Sequence, residues 1–252
     1  MTRNNWACLF LAGLLLTACR GNSYRIKGTT EGIDEGDTLF ATMDFETGLP
    51  FDTMVVRKGE FELKGRADSI RQCIIYRAHD EETSALLFLE PGTIRVKLSP
   101  VPGNTHVSGT RINDRWQQLT DSVAYYSGHM DRLLSQYYTE GCTEEERASL
   151  LSKMTRQAEG LNRCLCRVTE ENIDNELGYF LLLDGSMHHT DRLRLIAKLP
   201  KAMREREEIK NLLNHLMASD SEGDALSGFD EMGSFDSDMD DMESQTDFGL
   251  PE

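Results

Sequence analysis

Between residues 24 and 110, apolar and polar side chains alternate with a period of two. Successive side chains of a β-strand point to opposite faces of the sheet, so this alternation predicts strands with one buried face. Residues 85–89 are apolar throughout and predict a central strand covered on both faces. The other predicted strands are residues 24–28, 38–43, 51–56, 60–64, 71–77 and 94–98, separated by Gly- and Pro-containing turns. Roughly seven or eight short strands at this spacing predict an antiparallel β-sandwich or a partly open barrel.

After Thr110 the apolar residues follow a helical period. Two sets of apolar residues, each spaced alternately three and four positions apart, form a stripe along one side of a helix and so predict two long helices. The first stripe is Trp116, Leu119, Val123, Tyr126, Met130, Leu133 and Tyr137, and the second is Leu151, Met154, Ala158, Leu161, Leu165 and Val168. Thr143 and Glu146 form a capping box at the start of the second helix, and the short connection predicts antiparallel neighbours. We expect the stripes to pack on each other; the alternative is that part of a stripe stays open for a partner or a second copy.

Three shorter helices are predicted next. Residues 175–184 are apolar nearly all round, which predicts a buried helix. Residues 191–198 and 201–217 predict two more, separated by Pro200, which suits a helix start better than an interior. The predicted fold class is therefore α+β, with an N-terminal antiparallel β-sandwich followed by an α-helical domain that contains a long antiparallel helix pair.

The net charge of −16 is concentrated at the end of the chain. Residues 219–252 contain twelve Asp or Glu and no Lys or Arg, which leaves −4 for the rest. Low hydrophobicity and charge of one sign predict a disordered acidic tail. Its scattered Phe and Met residues suit docking to the basic groove of an unknown envelope protein. We expect that nothing basic is clustered to neutralise phosphates, so nucleic acid is not an expected partner.

The first 19 residues have the three parts of a secretory signal. Arg3 is followed by an apolar core at residues 6–16, and then by Thr17, Ala18 and Cys19. The core is shorter than the roughly 20 residues that a spanning helix needs. Leu16-Thr17-Ala18-Cys19 resembles the bacterial lipobox, which implies that Cys19 is acylated and that residues 1–18 are removed; the alternative is an ordinary signal peptide. By resemblance to enterobacterial sorting, an aspartate after Cys19 would retain a lipoprotein at the inner membrane; none follows here, so we expect the periplasmic face of the outer membrane.

Three landmarks resemble one uncharacterised β-rich envelope domain. They are residues 52–65, Glu90-Pro91-Gly92-Thr93-Ile94, and residues 107–110 with Asn113. In many lipoproteins this domain stands ahead of a helical linker and a thioredoxin-like domain of the thiol:disulfide interchange type. Residues 175–216 also resemble that helical linker, but here the acidic tail follows in place of the thioredoxin-like domain. The expected organisation is a signal peptide (1–18), a tether (19–23), the β-sandwich (24–110), a helical domain (111–218) and the tail (219–252).

The cysteines give little support to redox chemistry. Cys8 would leave with the signal and Cys19 would be acylated, while Cys73, Cys142, Cys164 and Cys166 would remain in an oxidising compartment, where pairing is possible. The sequence contains no Cys-x-x-Cys, and Cys164 and Cys166 point to different sides of a predicted helix. Cys142 precedes a helix N-terminus and is the best redox candidate, but residues 144–146 are all glutamate and oppose a thiolate.

We find no other catalytic or metal-binding pattern. The adjacent His188 and His189 diverge in a helix or turn, and Asp236-Ser237-Asp238 starts a calcium loop that lacks the required Gly and Glu. We therefore expect no catalytic residue, metal or cofactor, and Cys19 as the only functional residue. The sequence favours a membrane-anchored periplasmic lipoprotein that acts as a binding or scaffold component. The alternatives are a thiol-disulfide redox protein, an accessory to a thioredoxin-like partner, and a sandwich that binds a small ligand.

Overall fold

A computed structural model describes residues 21–226, and its N-terminal part consists of two four-stranded sheets. The strands are β1 (Ser23–Thr30), β2 (Thr38–Thr42), β3 (Pro50–Val55), β4 (Glu60–Arg66), β5 (Arg71–Arg77), β6 (Asp80–Leu89), β7 (Gly92–Leu98) and β8 (His106–Ser108). The first sheet has the order β4-β1-β7-β8 and the second has the order β3-β2-β5-β6. Helices follow, so the predicted α+β class is confirmed.

One strand pair departs from the expected antiparallel arrangement. β1 pairs with β4 in antiparallel fashion and with β7 in parallel fashion, so that Ile26 lies opposite Leu63 on one side and Ile94 on the other. Parallel neighbours need a long crossover connection, and here β2 to β6 supply it. Local alternation cannot distinguish the two directions, because a strand buries the same face in either one.

The core lies between the inner faces of the two sheets. Ile26, Leu39, Ile75, Leu87 and Ile94 are fully buried, as the alternating pattern predicts. Each such side chain contributes about 1.5–3 kcal/mol through removal of apolar surface from water. β6 is also covered on its second face, where Phe88 packs against the rings of Trp116 and Phe180, so the predicted double cover is confirmed. The predicted central position is wrong, because β6 is the edge strand of its sheet and owes its second apolar face to the helices that cover it.

The helices are α1 (Arg111–Tyr137), α2 (Glu144–Glu171), α3 (Glu176–Asp184), α4 (His189–Ile196), α5 (Lys201–Arg204) and α6 (Glu207–Leu226). α1 and α2 are antiparallel neighbours: Arg115 near the start of α1 pairs with Glu171 at the end of α2. At the other end, Arg147 lies over the ring of Tyr137. The predicted capping box is present, with the Glu146 amide donating to the Thr143 hydroxyl over 3.2 Å.

The predicted stripe of α2 is wrong near the helix start. Leu150 is buried there with 7% exposure, whereas Leu151 is 49% exposed and Ala158 is also exposed. A straight α-helix drifts by about 20° per heptad relative to a 3.5-residue repeat, so a stripe that fits at Leu165 and Val168 rotates off the contact two heptads earlier. The residues that α1 buries, Ile112, Asn113 and Leu119, lie in its first turns. The outer half of the helix pair is therefore thinly packed.

The segment predicted as a single helix at residues 201–217 is divided between α5 and α6. The guanidinium of Arg206 binds both carboxylate oxygens of Glu176, at 2.6 and 3.1 Å, and lies over the Tyr179 ring. Arg206 thus makes its tertiary contacts from the short segment between the two helices, and α6 begins at Glu207.

α6 continues to Leu226 and so enters the predicted disordered tail. Each further residue of an established helix adds a backbone hydrogen bond, which favours propagation past a change of composition. The predicted signal peptide, the tether residues Cys19 and Arg20, and the tail from residue 227 lie outside the described residues.

A buried polar junction joins β6 to the start of α1. The Glu90 carboxylate accepts the amide of Ile112 over 2.8 Å and that of Asn113 over 3.3 Å. Because the first amides of a helix lack intrahelical acceptors and carry partial positive charge, a carboxylate is favoured there. The landmarks Glu90 and Asn113 of the family resemblance are thus structural contacts between strand and helix.

Candidate functional site

The outer surface of the first sheet carries a group of basic side chains. The alternation that buries Ile26 and Ile94 leaves Arg25 and Lys27 of β1 exposed, together with Arg95 and Lys97 of β7. Since β1 and β7 are neighbours, with Lys27 opposite Arg95, the cations of both strands lie side by side. With Arg57, which follows β3, these four residues form what we term the basic face.

A groove of about 680 Å³ runs across the basic face. Five Lys or Arg and two Glu line it. Its lining residues include the basic face itself, Glu60 and Glu62 of β4, Thr29 of β1, His106 and Ser108 of β8, and Val55 at the end of β3. The groove is open, so it suits an extended partner better than an enclosed small molecule.

Part of this positive charge is compensated within the sheet. Arg25 forms an ion pair with Glu62, and Lys97 pairs with Glu31 at 2.6 Å. The hydrogen bond from Arg25 is the main reason why the pKa of Glu62 is lowered. Among the residues that the structure describes, Lys27, Arg57 and Arg95 have no ion-pair partner. Two of these cations lie on the first sheet and the third, Arg57, lies in the connection between β3 and β4; with Glu60 the groove still has an excess of positive charge, which attracts anions.

The helices leave the basic face accessible. α1 packs on β6 and β8, at a distance in the sheet order from β1 and β4. The side chains of Arg25 and Lys97 remain 44% and 49% exposed even though both are paired. The exposed cations can therefore reach a partner without any rearrangement of the fold.

Sequence reasoning missed this surface because it looked for basic residues that are close along the chain. The expectation that nothing basic is clustered is wrong for the folded chain: β1 and β7 are far apart in sequence but adjacent in the sheet. A signal was present, since both strands have Lys or Arg at two successive outward positions. The absence of a nucleic-acid partner stays a prediction.

The described thiols show no redox arrangement. Cys73, Cys142, Cys164 and Cys166 are all free, and Cys8 and Cys19 lie outside the described part. Burial raises the pKa of Cys73 to about 12. Burial, followed by the negative charge of Asp191, also raises the pKa of Cys166. Cys142, the best candidate from sequence, lies in the α1–α2 connection with its Sγ 3.8 Å from the Thr143 carbonyl oxygen.

The adjacent histidines lie at the start of α4. His188 precedes α4 and donates its backbone N–H to Oδ1 of Asn162 over 2.8 Å, while His189 is the first residue of that helix. Within residues 21–226, no group of three or more His, Cys, Asp or Glu side chains is placed to hold a metal ion. Over the same residues, no helix combines the length and apolarity that crossing a membrane requires.

Residues 24–116 match the model of a family described as a domain of unknown function, DUF4369. The matched range contains β2 to β8, all but the first residue of β1, and the start of α1 with Asn113. Comparison with curated proteins finds no match, and comparison with solved structures finds none either. The resemblance to an uncharacterised β-rich domain is confirmed for this range, and the basic face lies entirely within it.

Proposed function

We propose that this protein is a lipid-anchored component of the bacterial cell envelope that binds an anionic partner through the basic face. The observation that carries the binding role is a groove in which Lys27 and Arg95 of the first sheet and Arg57 of the β3–β4 connection have no ion-pair partner in the described part of the chain, whose net charge is −16. Local charge of the sign opposite to the net charge favours recognition of a specific partner over general attraction.

The anchor is supported by Leu16-Thr17-Ala18-Cys19, which resembles the lipobox. The multiple acyl chains of a bacterial lipoprotein hold a membrane firmly, whereas a single chain is marginal. The likeness of the β-rich domain to that of thiol:disulfide interchange lipoproteins supports the same location, on the periplasmic side of the outer membrane.

The anchor is tested with Cys19→Ser, and Cys8→Ser serves as the matched control. We expect the wild-type protein and Cys8→Ser to start at acylated Cys19 by mass spectrometry and to fractionate with membranes. Cys19→Ser should lose acylation, because its side chain supplies no thiol to acylate. Equal masses and equal fractionation of the wild type and Cys19→Ser would contradict the proposed anchor.

A further inference from the structure

The basic face begins very close to the proposed anchor. β1 starts at Ser23, four residues after Cys19. Four extended residues span at most about 14 Å. Arg25 and Lys27 are the third and fifth residues of β1, so an anchor at Cys19 would hold these cations near the bilayer surface.

We propose that the basic face lies on the anionic lipid headgroups of the membrane that Cys19 enters; this rests on the proposed lipid anchor. Lys27, Arg57 and Arg95 supply positive charge with no ion-pair partner in the described part of the chain. Headgroups of net negative charge are the complementary ligands, because the choline of a zwitterionic headgroup offsets its phosphate; each Lys or Arg close to an anionic bilayer strengthens binding about fivefold. The acylated Cys19 and the basic face then both bind the same membrane.

The shape of the face favours a membrane over a small anion. The groove is open, and its cations are spread over two neighbouring strands, β1 and β7, and the β3–β4 connection. An array of this kind matches repeated phosphates better than a single phosphate ion. Val55, which is 45% exposed, lies at the rim of the groove and adds apolar contact of the sort that favours an interface.

The test places a fluorophore on the basic face of the acylated full-length mature protein and measures its quenching by headgroup-labelled lipid. Thr29→Cys carries the fluorophore, since Thr29 is exposed and lines the groove. Ser152→Cys, exposed on α2, is the matched control position. Both variants also carry Cys142→Ser and Cys164→Ser, which remove the partly exposed thiols. The protein is reconstituted into vesicles of phosphatidylcholine alone, or of phosphatidylcholine mixed with phosphatidylglycerol.

We expect quenching at residue 29 in the mixed vesicles, little quenching in neutral vesicles, and little quenching at residue 152 in either. Adding Lys27→Gln and Arg95→Gln should abolish quenching at residue 29, because two of the uncompensated cations are lost. Adding Lys153→Gln and Arg156→Gln, which remove two exposed cations from α2, should leave it unchanged.

Equal quenching at residue 29 in neutral and mixed vesicles, or none in either, would overturn the proposal. So would quenching that inorganic phosphate abolishes at constant ionic strength, since that result indicates a site for free phosphate. The basic face can also be tested if mass spectrometry finds no acyl group on Cys19. Unacylated protein added to mixed vesicles should still bind, and should lose about 30-fold in partitioning with Lys27→Gln and Arg95→Gln. Failure of the anchor and failure of the basic face are thus separate results.

Discussion

Asn113 is the residue whose environment most clearly explains a landmark of this domain. Its Oδ1 accepts the backbone N–H of Phe88 over 2.9 Å, and its Nδ2 donates to the Phe88 carbonyl over 2.7 Å. The side-chain amide thus pairs with β6 as a neighbouring strand would, while its own backbone begins α1. Nδ2 also donates to the Thr110 hydroxyl over 2.8 Å. A fully buried polar group with all these partners links the sheet to the helix.

We predict that Asn113→Ala lowers the free energy of unfolding by about 3 kcal/mol, because it leaves the N–H and C=O of Phe88 buried without partners. Asn104→Ala is the control: Asn104 is exposed, and alanine keeps the hydrogen bond that its backbone N–H donates to the Val101 carbonyl, so the change should stay within about 0.5 kcal/mol. Urea denaturation followed by circular dichroism measures both values. Equal stabilities of the two variants would show that the junction contributes little.

At the scale of elements, two glycines inside helices occupy opposite environments. A Cβ on Gly178 of α3 would lie 2.1 Å from the carbonyl oxygen of Asn172, at the end of α2. A Cβ on Gly128 of α1 would meet nothing within 4 Å. The first glycine permits the close approach of two helices, and the second lies where α1 is thinly packed.

We predict that Gly178→Ala destabilises the protein by about 3 kcal/mol, since backbone must move to relieve the clash. Gly128→Ala should stabilise it by up to about 1 kcal/mol, because alanine has the higher helix propensity and nothing opposes the added methyl group. Thermal and urea unfolding of the two variants measure the difference. A stabilising Gly178→Ala would mean that α2 and α3 are not held together at this point.

At the scale of the whole molecule, the net charge and the local charge of the basic face have opposite signs. The net charge is −16, with −12 contributed by residues 219–252, whereas the basic face gathers four cations of β1 and β7 and Arg57 of the β3–β4 connection around one groove. A polyanion is repelled by the net charge and attracted by the local charge. Within a Debye length of about 10 Å at moderate salt, the local charge dominates.

We predict that the protein binds labelled inorganic polyphosphate despite its net charge, with an affinity that falls as salt rises. Lys27→Gln with Arg95→Gln should reduce the slope of log K against log salt by about one to two, since two anion contacts are lost. Fluorescence anisotropy across a salt series measures that slope. Lys153→Gln with Arg156→Gln makes the same change in net charge on α2, so an equal effect from this pair would argue against a local site.

Much of the architecture is determined by the pattern of apolar and polar residues within short segments of the sequence. Alternation between residues 24 and 110 places the strands, because burial of one sheet face imposes a period of two. The helical spacing and the capping box of Thr143 place α1 and α2, because their signals lie within a few residues of one another. The break between α5 and α6 was missed, and the residues that Arg206 contacts there, Glu176 and Tyr179, lie about thirty positions earlier, outside the reach of a local pattern.

The sequence by itself determined which side chains of each strand face water, and so which of them are basic and exposed. Only the tertiary structure decided that β1 and β7 are parallel neighbours and that Lys27 lies beside Arg95. The physical reason is that strand order depends on long-range packing, and the same alternating strand buries its apolar face equally well beside any compatible partner. The sequence therefore determines which basic side chains are available for such a binding surface, and the fold determines where they come together.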